Sequence, residues 1–266
     1  MTAEQPVLQF DDVSLSYGRA PVVRDASFSV APGSIVGLVG ESGSGKTTLL
    51  RAALGVWEGG LRLAGGSIRF LGEDVASMGE RRLRELRSSQ ASMVFQDSAS
   101  SFCPVRRVGP QVWDAMRGRP GLTHRECDER FYEILQTLGL RDSATILHAY
   151  PHELSGGMAQ RVGIALALMS SPRIILADEP TSALDVATQA QVVQALRDAR
   201  ERFGCAILLV THNFRLVERL CDHAVVLHQG RVVEQGPIAQ VLANPQDAYT
   251  RNLIAAAPRL RRPDNE

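Results

Sequence analysis

Apolar and polar positions alternate along residues 7–17 (VLQFDDVSLSY) and again along 22–30 (VVRDASFSV), the period of strands that bury one face. The chain therefore opens as antiparallel β. Residues 34–40 (SIVGLVG) are a nearly unbroken apolar run, which reads as a buried strand entering a glycine-rich turn and then a helix from about Gly45 to Trp57. Ser77, three residues before Glu80, has the spacing of a capping box ahead of an Arg- and Leu-rich helix. Thr123 with Glu126 heads another helix reaching Leu138, and 91–95 (ASMVF) between them reads as a short strand.

From about 97 to 171 the pattern contains no convincing strand, so this stretch reads as a helical insertion between β-rich segments. Residues 173–178 (RIILAD), 205–210 (CAILLV) and 224–229 (AVVLHQ) are continuous apolar runs alternating with helices, the mark of a sheet covered on both faces. Residues 230–236 (GRVVEQG) close a hairpin. The rest is helical as far as an Arg- and Pro-containing tail (RLRRPDNE). The expected class is α/β: a mainly parallel sheet, an N-terminal antiparallel β subdomain and an inserted helical subdomain.

Composition narrows the function. The 266 residues carry 29 basic and 29 acidic side chains, a balance that gives no long-range attraction for polyanions and argues against a nucleic-acid partner. No apolar run approaches the roughly 18 to 20 residues that span a bilayer, and the first residues (MTAEQPVLQF) lack the form of a secretory signal. A cytosolic chain is expected. Cys103, Cys127, Cys205 and Cys221 have no metal-site spacing and read as reduced thiols. One lysine, Lys46, stands among 28 arginines, so position 46 calls for a compact ammonium rather than a planar guanidinium.

That lysine lies in Gly40-Glu41-Ser42-Gly43-Ser44-Gly45-Lys46-Thr47, which fits GxxxxGK[ST] between a buried strand and a helix. Backbone N–H groups of such a loop wrap the β-phosphate, and the helix N-terminus adds positive potential. Lys46 would reach the β- and γ-phosphates, and the Thr47 hydroxyl would ligate Mg²⁺. Downstream, RIILADE ends an apolar strand in Asp178, placed to hold magnesium, and Glu179, placed to polarise the attacking water.

Leu154-Ser155-Gly156-Gly157-Met158 resembles the signature motif of ABC-type ATPases, and the family's other landmarks follow in order. Tyr17 matches the aromatic that stacks on adenine. Gln96 holds the Q-loop position, Ser182-Ala183-Leu184-Asp185 matches the D-loop, and His212 matches the switch histidine. The resemblance covers nearly the whole chain. It implies a P-loop NTPase (RecA-like) core forming one nucleotide-binding domain over 1–266, with a helical subdomain at about 97–160 and a C-terminal helical extension and tail at 234–266.

It also implies a head-to-tail pair of ATPases binding ATP and Mg²⁺. Gly40, Glu41, Ser42, Gly43, Ser44, Gly45, Lys46, Thr47 and Thr48 hold phosphates, and Thr47, Gln96 and Asp178 ligate the metal. Glu179 activates water, His212 contacts the γ-phosphate, and Asp185 couples the two sites. Ser155, Gly156 and Gly157 head a helix running to about Ser171, a second anion cradle, and would meet the ATP bound to the opposite subunit.

Within the family, AYPHELSGGM (149–158), DEPTSALDV (178–186), GGSIRFLGEDV (65–75) and the ending EQGPIAQVLANPQDAYTRNLIAAAPRL (234–260) look like the oligopeptide, dipeptide and nickel import group, the first of its two paired ATPases. Two permease subunits, a second ATPase and, indirectly, an external solute-binding protein are the implied partners, which places the chain on the cytoplasmic side of the cell membrane. The Q-loop, FQDSASSFCPVRRVG (95–109), departs from the group's FQDP and SLNP, at the place where a permease docks. Larger members carry a cysteine-bearing extension for an iron–sulfur cluster; this chain ends at Glu266 without one, and no cluster is expected. The alternative is a non-transport ABC ATPase of the phosphonate-breakdown type.

Overall fold

A computed structural model describes residues 5–256 apart from Pro120 and Ala183. Residues 257–266, which include the Arg- and Pro-containing tail (259–266) of the expected C-terminal extension, lie outside the described residues. Strands β1 (Leu8–Tyr17), β2 (Ala20–Val30), β4 (Leu61–Phe70) and β5 (Glu73–Asp74) form an antiparallel sheet in the order β2-β1-β4-β5. A second sheet runs β10-β9-β3-β8-β7-β6, from β3 (Ile35–Val39), β6 (Ala91–Val94), β7 (Ile174–Asp178), β8 (Ala206–Thr211), β9 (His223–His228) and β10 (Arg231–Pro237). It is parallel except for the β9–β10 hairpin.

The apolar runs of the parallel strands divide by parity. Ile35 and Val39 join the core on the helical face, together with Ile175, Ile207 and Leu209. Val36 and Leu38 join the opposite core with Leu176, Leu208 and Val210, against the antiparallel sheet and helix α1 (Lys46–Ala53). Successive side chains of a strand face opposite sides, so one continuous apolar run serves both layers. Each fully buried Val, Leu or Ile contributes about 1.5–3 kcal/mol.

The segment without strands holds α3 (Val108–Met116), α4 (His124–Thr137), α5 (Ser143–His148) and α6 (Gly156–Leu168). Thr123 and Glu126 form the expected capping box at α4. Beyond it come α7 (Val186–Phe203), α8 (Phe214–Leu220), α9 (Ile238–Ala243) and α10 (Ala248–Ala256), while α2 (Glu80–Glu85) precedes β6.

Three local expectations are corrected. Ser77 does not cap α2: its hydroxyl donates to Asp74 O in a 3-10 turn capped by Asp74, and Gly79 occupies the cap of α2. Helix α1 stops at Ala53, short of Trp57, because the chain turns through Gly55 at φ 63°. The helix begun at Ser155 ends at Leu168 rather than Ser171, which sits at φ 47°. Strand β4 was not foreseen, since only Leu61, Ile68 and Phe70 of its ten residues are buried and Gly65 and Gly66 interrupt the alternation.

Candidate active site

Strand β3 delivers the chain into the glycine-rich loop beneath the end of β9. A side chain at Gly40 would overlap Leu227 O, and Gly45, the residue before α1, lies at φ 107° with Val23 against it. Only glycine meets both demands. The loop opens onto a cavity of about 550 Å³ whose lining includes Ser42, Gly43, Gly45, Lys46, Thr47 and Thr48, with Gln96, Asp178, Glu179, Ser182 and His212 on the far side. Residues from five separate segments thus converge on one polar hollow.

The sole lysine is buried, at 6% exposure. Its Nζ donates to the carbonyls of Gly40 and Glu41, both at 2.7 Å. Burial pulls this ammonium below the usual lysine range, opposed by the carboxylates of Glu179, Asp178 and Glu41. Thr47 Oγ1 donates to the Asp178 carboxylate at 3.0 Å from Oδ2. A hydroxyl and a carboxylate side by side, with the Gln96 amide in the same cavity, are the hard oxygen donors that suit Mg²⁺. Burial raises the Asp178 carboxyl above the usual aspartate range, and Glu179 adds to this; Thr47, Lys46 and Arg51 oppose it.

Glu179 follows β7 at φ 49°, a left-handed conformation that costs a non-glycine residue about 1–3 kcal/mol. Its N–H donates to Val210 O at 2.9 Å, and its carbonyl accepts from the Ser182 hydroxyl at 3.1 Å, which together hold the turn. The carboxylate Oε1 lies 2.8 Å from His212 Nδ1, and Oε2 accepts from Thr211 Oγ1 at 3.4 Å. Two consecutive residues, Asp178 and Glu179, thereby address different partners.

Tyr17, Gly40, Glu41 and Ser44 lie outside the lining of this cavity. Tyr17 ends β1, half-buried beside Gly59. Ser155, Gly156, Gly157 and Asp185 assemble separately. The Ser155 side chain caps α6 through Met158 N, and Gly156 and Gly157 are the first helical residues, whose N–H groups have no intrahelical acceptor. Asp185 caps α7 through Thr188 N and accepts from Thr188 Oγ1 at 2.6 Å, while Thr188 packs against Gly157. The signature segment and the D-loop residue therefore form one cluster.

Two participants were not anticipated. Gln160 of α6, 2% exposed, donates to Phe95 O at 2.9 Å and accepts from Ser98 N at 3.4 Å, bracketing Gln96. Its sequence signal was an amide on a helix otherwise apolar but for Arg161. Tyr249 of α10 accepts from Glu41 N at 3.0 Å across 208 positions, a contact no local pattern could reveal.

Residues 23–182 match the ABC transporter family. The chain is 37% identical over 265 residues to the oligopeptide transport ATP-binding protein OppD of Salmonella typhimurium, covering 97% of this chain and 79% of that protein. It is 38% identical over 259 residues to the "Probable D,D-dipeptide transport ATP-binding protein DdpD" of Escherichia coli, covering 96% and 79%. Among solved structures, cbiO1 from Clostridium perfringens, part of the ABC transporter complex cbiONQ, superimposes with a TM-score of 0.80 at 25% identity, over 91% of this chain and 92% of the other. A dimeric ATP-binding cassette bound to ADP and Pi gives 0.75 at 25% identity, over 87% and 98%. With its phosphate loop, signature helix and paired acidic residues all in place, the chain belongs to the ABC transporter family and is an ATP-hydrolysing cassette.

Proposed function

We propose that this chain energises a peptide importer, hydrolysing ATP within a head-to-tail pair of cassettes. The observation that carries the reading is the convergence of Lys46, Thr47, Asp178, Glu179 and His212 on one cavity, in a chain whose relatives are named for oligopeptide and dipeptide transport. None of the described helices is long and apolar enough to cross a membrane, so a membrane-spanning path belongs to partner permeases. Phe95 and Val105, 46% and 80% exposed on the loop that departs from the group pattern, supply apolar surface for them.

The geometry supports the following roles. The 40–48 backbone and Lys46 hold the phosphates, with Lys46 exchanging the carbonyls of Gly40 and Glu41 for phosphate oxygens. Thr47, Asp178 and Gln96 would hold Mg²⁺, which would supply positive charge to offset that of the phosphates. Glu179 takes a proton as water attacks the γ-phosphorus. The new P–O bond forms as the bond to the β-phosphate oxygen breaks, giving ADP and phosphate. A carboxylate accepts and does not donate, so His212 Nδ1 carries the proton toward Glu179, and Nε2 donates to the γ-phosphate only when the ring is doubly protonated.

Gly156 and Gly157 do not line this chain's own phosphate cavity, which leaves their N–H groups for the nucleotide of the facing cassette. Two bound ATP molecules then join two cassettes, and hydrolysis separates them. Tyr17 stacks on adenine, and Asp185, fixed beside the signature helix through Thr188, links the two sites.

Uptake in cells carrying a chromosomal Glu179→Gln substitution tests this reading. Loss of labelled di- and oligopeptide uptake, with nickel uptake retained, is expected. Loss of nickel uptake alone would move the substrate to the metal branch of the group. Unchanged uptake of both would favour a non-transport ATPase.

A further inference from the structure

The C-terminal helix reaches the nucleotide loop through one side chain. Glu234 of β10 accepts from Gln246 N at 2.8 Å through Oε1 and from Asp247 N at 3.1 Å through Oε2. Asp247 Oδ1 in turn accepts from Tyr249 N at 2.7 Å. The segment entering α10 is thus pinned to the hairpin before the helix begins. Tyr249 then stacks on His228, ring centroids 3.9 Å apart and planes 28° from parallel, and its hydroxyl accepts from Glu41 N at 3.0 Å. Residue 227, next to His228, contributes the carbonyl against which Gly40 is packed. The end of β9 therefore supports the first two residues of the phosphate loop, one by direct contact and one through Tyr249.

The Glu41 peptide is held at both ends, its N–H by Tyr249 and its C=O by Lys46 Nζ. These bonds have different fates. Lys46 gives up the carbonyl when it turns to phosphate, whereas Tyr249 lies outside the cavity and has no reason to leave. We infer that Tyr249 is a positioning residue for nucleotide binding: it holds the entrance of the phosphate loop while Lys46 changes partners, and so couples docking of α10 to occupancy of the site. This rests on the reading of residues 40–48 as the phosphate site.

The coupling is reciprocal. A hydroxyl that stabilises the loop for nucleotide makes bound nucleotide stabilise the docked helix by the same factor. It makes no contact with reacting atoms, so its loss should weaken binding and leave the chemical step alone.

The test uses the purified full chain as wild type, Tyr249→Phe, His228→Ala and Lys46→Ala. ADP and ATP affinities are measured by calorimetry, steady-state kinetics with MgATP, and amide hydrogen exchange at Glu41 and across 248–256. Tyr249→Phe keeps the ring stack and removes the acceptor. It should raise the Kd for ADP and the KM for ATP about 2- to 10-fold, the equivalent of one hydrogen bond, with kcat within about twofold of wild type. Exchange at Glu41 should accelerate, and the protection that ADP confers on 248–256 should shrink. His228→Ala should act in the same direction more weakly.

Wild-type affinity and wild-type exchange at Glu41 in Tyr249→Phe, with Lys46→Ala weakened, would overturn the inference alone. A fall in kcat and melting temperature without a change in Kd would overturn it in favour of a purely structural role. Undiminished binding by Lys46→Ala would instead remove the phosphate-site reading beneath it.

Discussion

His212 Nδ1 lies 2.8 Å from Glu179 Oε1, joining the end of β8 to the residue after β7. The side chains differ in environment: that of Glu179 is 17% exposed and that of His212 61%. Glu179 is sheltered and held in its strained turn, while His212 faces outward, where the nucleotide and the opposing cassette of the proposed arrangement would be. Glu179→Gln preserves size and the contact to His212 but removes the proton acceptor. Phosphate release should fall about 10²- to 10⁴-fold with ATP affinity retained, and a stable ATP-bound dimer should appear in sedimentation. An active, monomeric Glu179→Gln protein would rule out this assignment.

Asp178 holds a carboxylate where burial disfavours its charge. Its folded-state value lies above the usual 3.8, so folding favours the protonated form. The associated stability is full below pH 3.8 and is lost as pH rises through the folded-state value. Asp178→Asn keeps an acceptor for Thr47 and removes the charge. At pH 7 the melting temperature should rise, while Mg²⁺-dependent ATP hydrolysis is lost. The thermal gain should shrink as the pH is lowered. Lower stability at pH 7 would show that the carboxylate is held by its neighbours rather than strained by burial.

The sequence disclosed most of this site because its parts are local. Lys46 stood out as the sole lysine in a loop whose glycines are required by Leu227 O and Val23, and Asp178 and Glu179 stood out at the end of an apolar strand. The parallel sheet was legible for a related reason: strands buried on both faces cannot hide their composition. What escaped depended on distant pairing. Strand β4 is half-exposed and takes its register from β1, and Gln160 and Tyr249 acquire roles only when folding brings Phe95, Ser98 and Glu41 to them. Ser77 misled because Asp74 offered its turn a nearer cap.

The close approach of α6 and α7 gives a sharper packing test. A Cβ at Gly157 would overlap Thr188 Cγ2. Gly157→Ala should destabilise the fold by about 1–3 kcal/mol through overpacking. Adding Thr188→Ser removes that methyl yet keeps the hydroxyl that donates to Asp185. The double variant should recover most of the lost melting temperature; equal stability of single and double variants would refute the contact.

Gln160 ties the signature helix to the residues flanking Gln96. Gln160→Leu leaves Ser98 N unpaired and Phe95 O with only the Ser98 hydroxyl at 3.5 Å, and should cost about 1–3 kcal/mol in chemical denaturation. Gln160→Glu loses the donor to Phe95 and buries a charge, so at pH 7 it should be less stable than the leucine variant. Acidification restores a proton to donate, so the gap between the two should narrow as the pH falls. A leucine variant as stable as wild type would remove Gln160 from this role.

The most direct test of the importer reading is the composition of the complex in which the chain works. The tagged protein would be purified from its native membranes in mild detergent and its companions identified by mass spectrometry. The account predicts two multi-span permeases and a second ATPase bearing a signature motif, released together when the 95–109 loop is altered. Recovery of only soluble enzymes, with the chain absent from membranes, would contradict it.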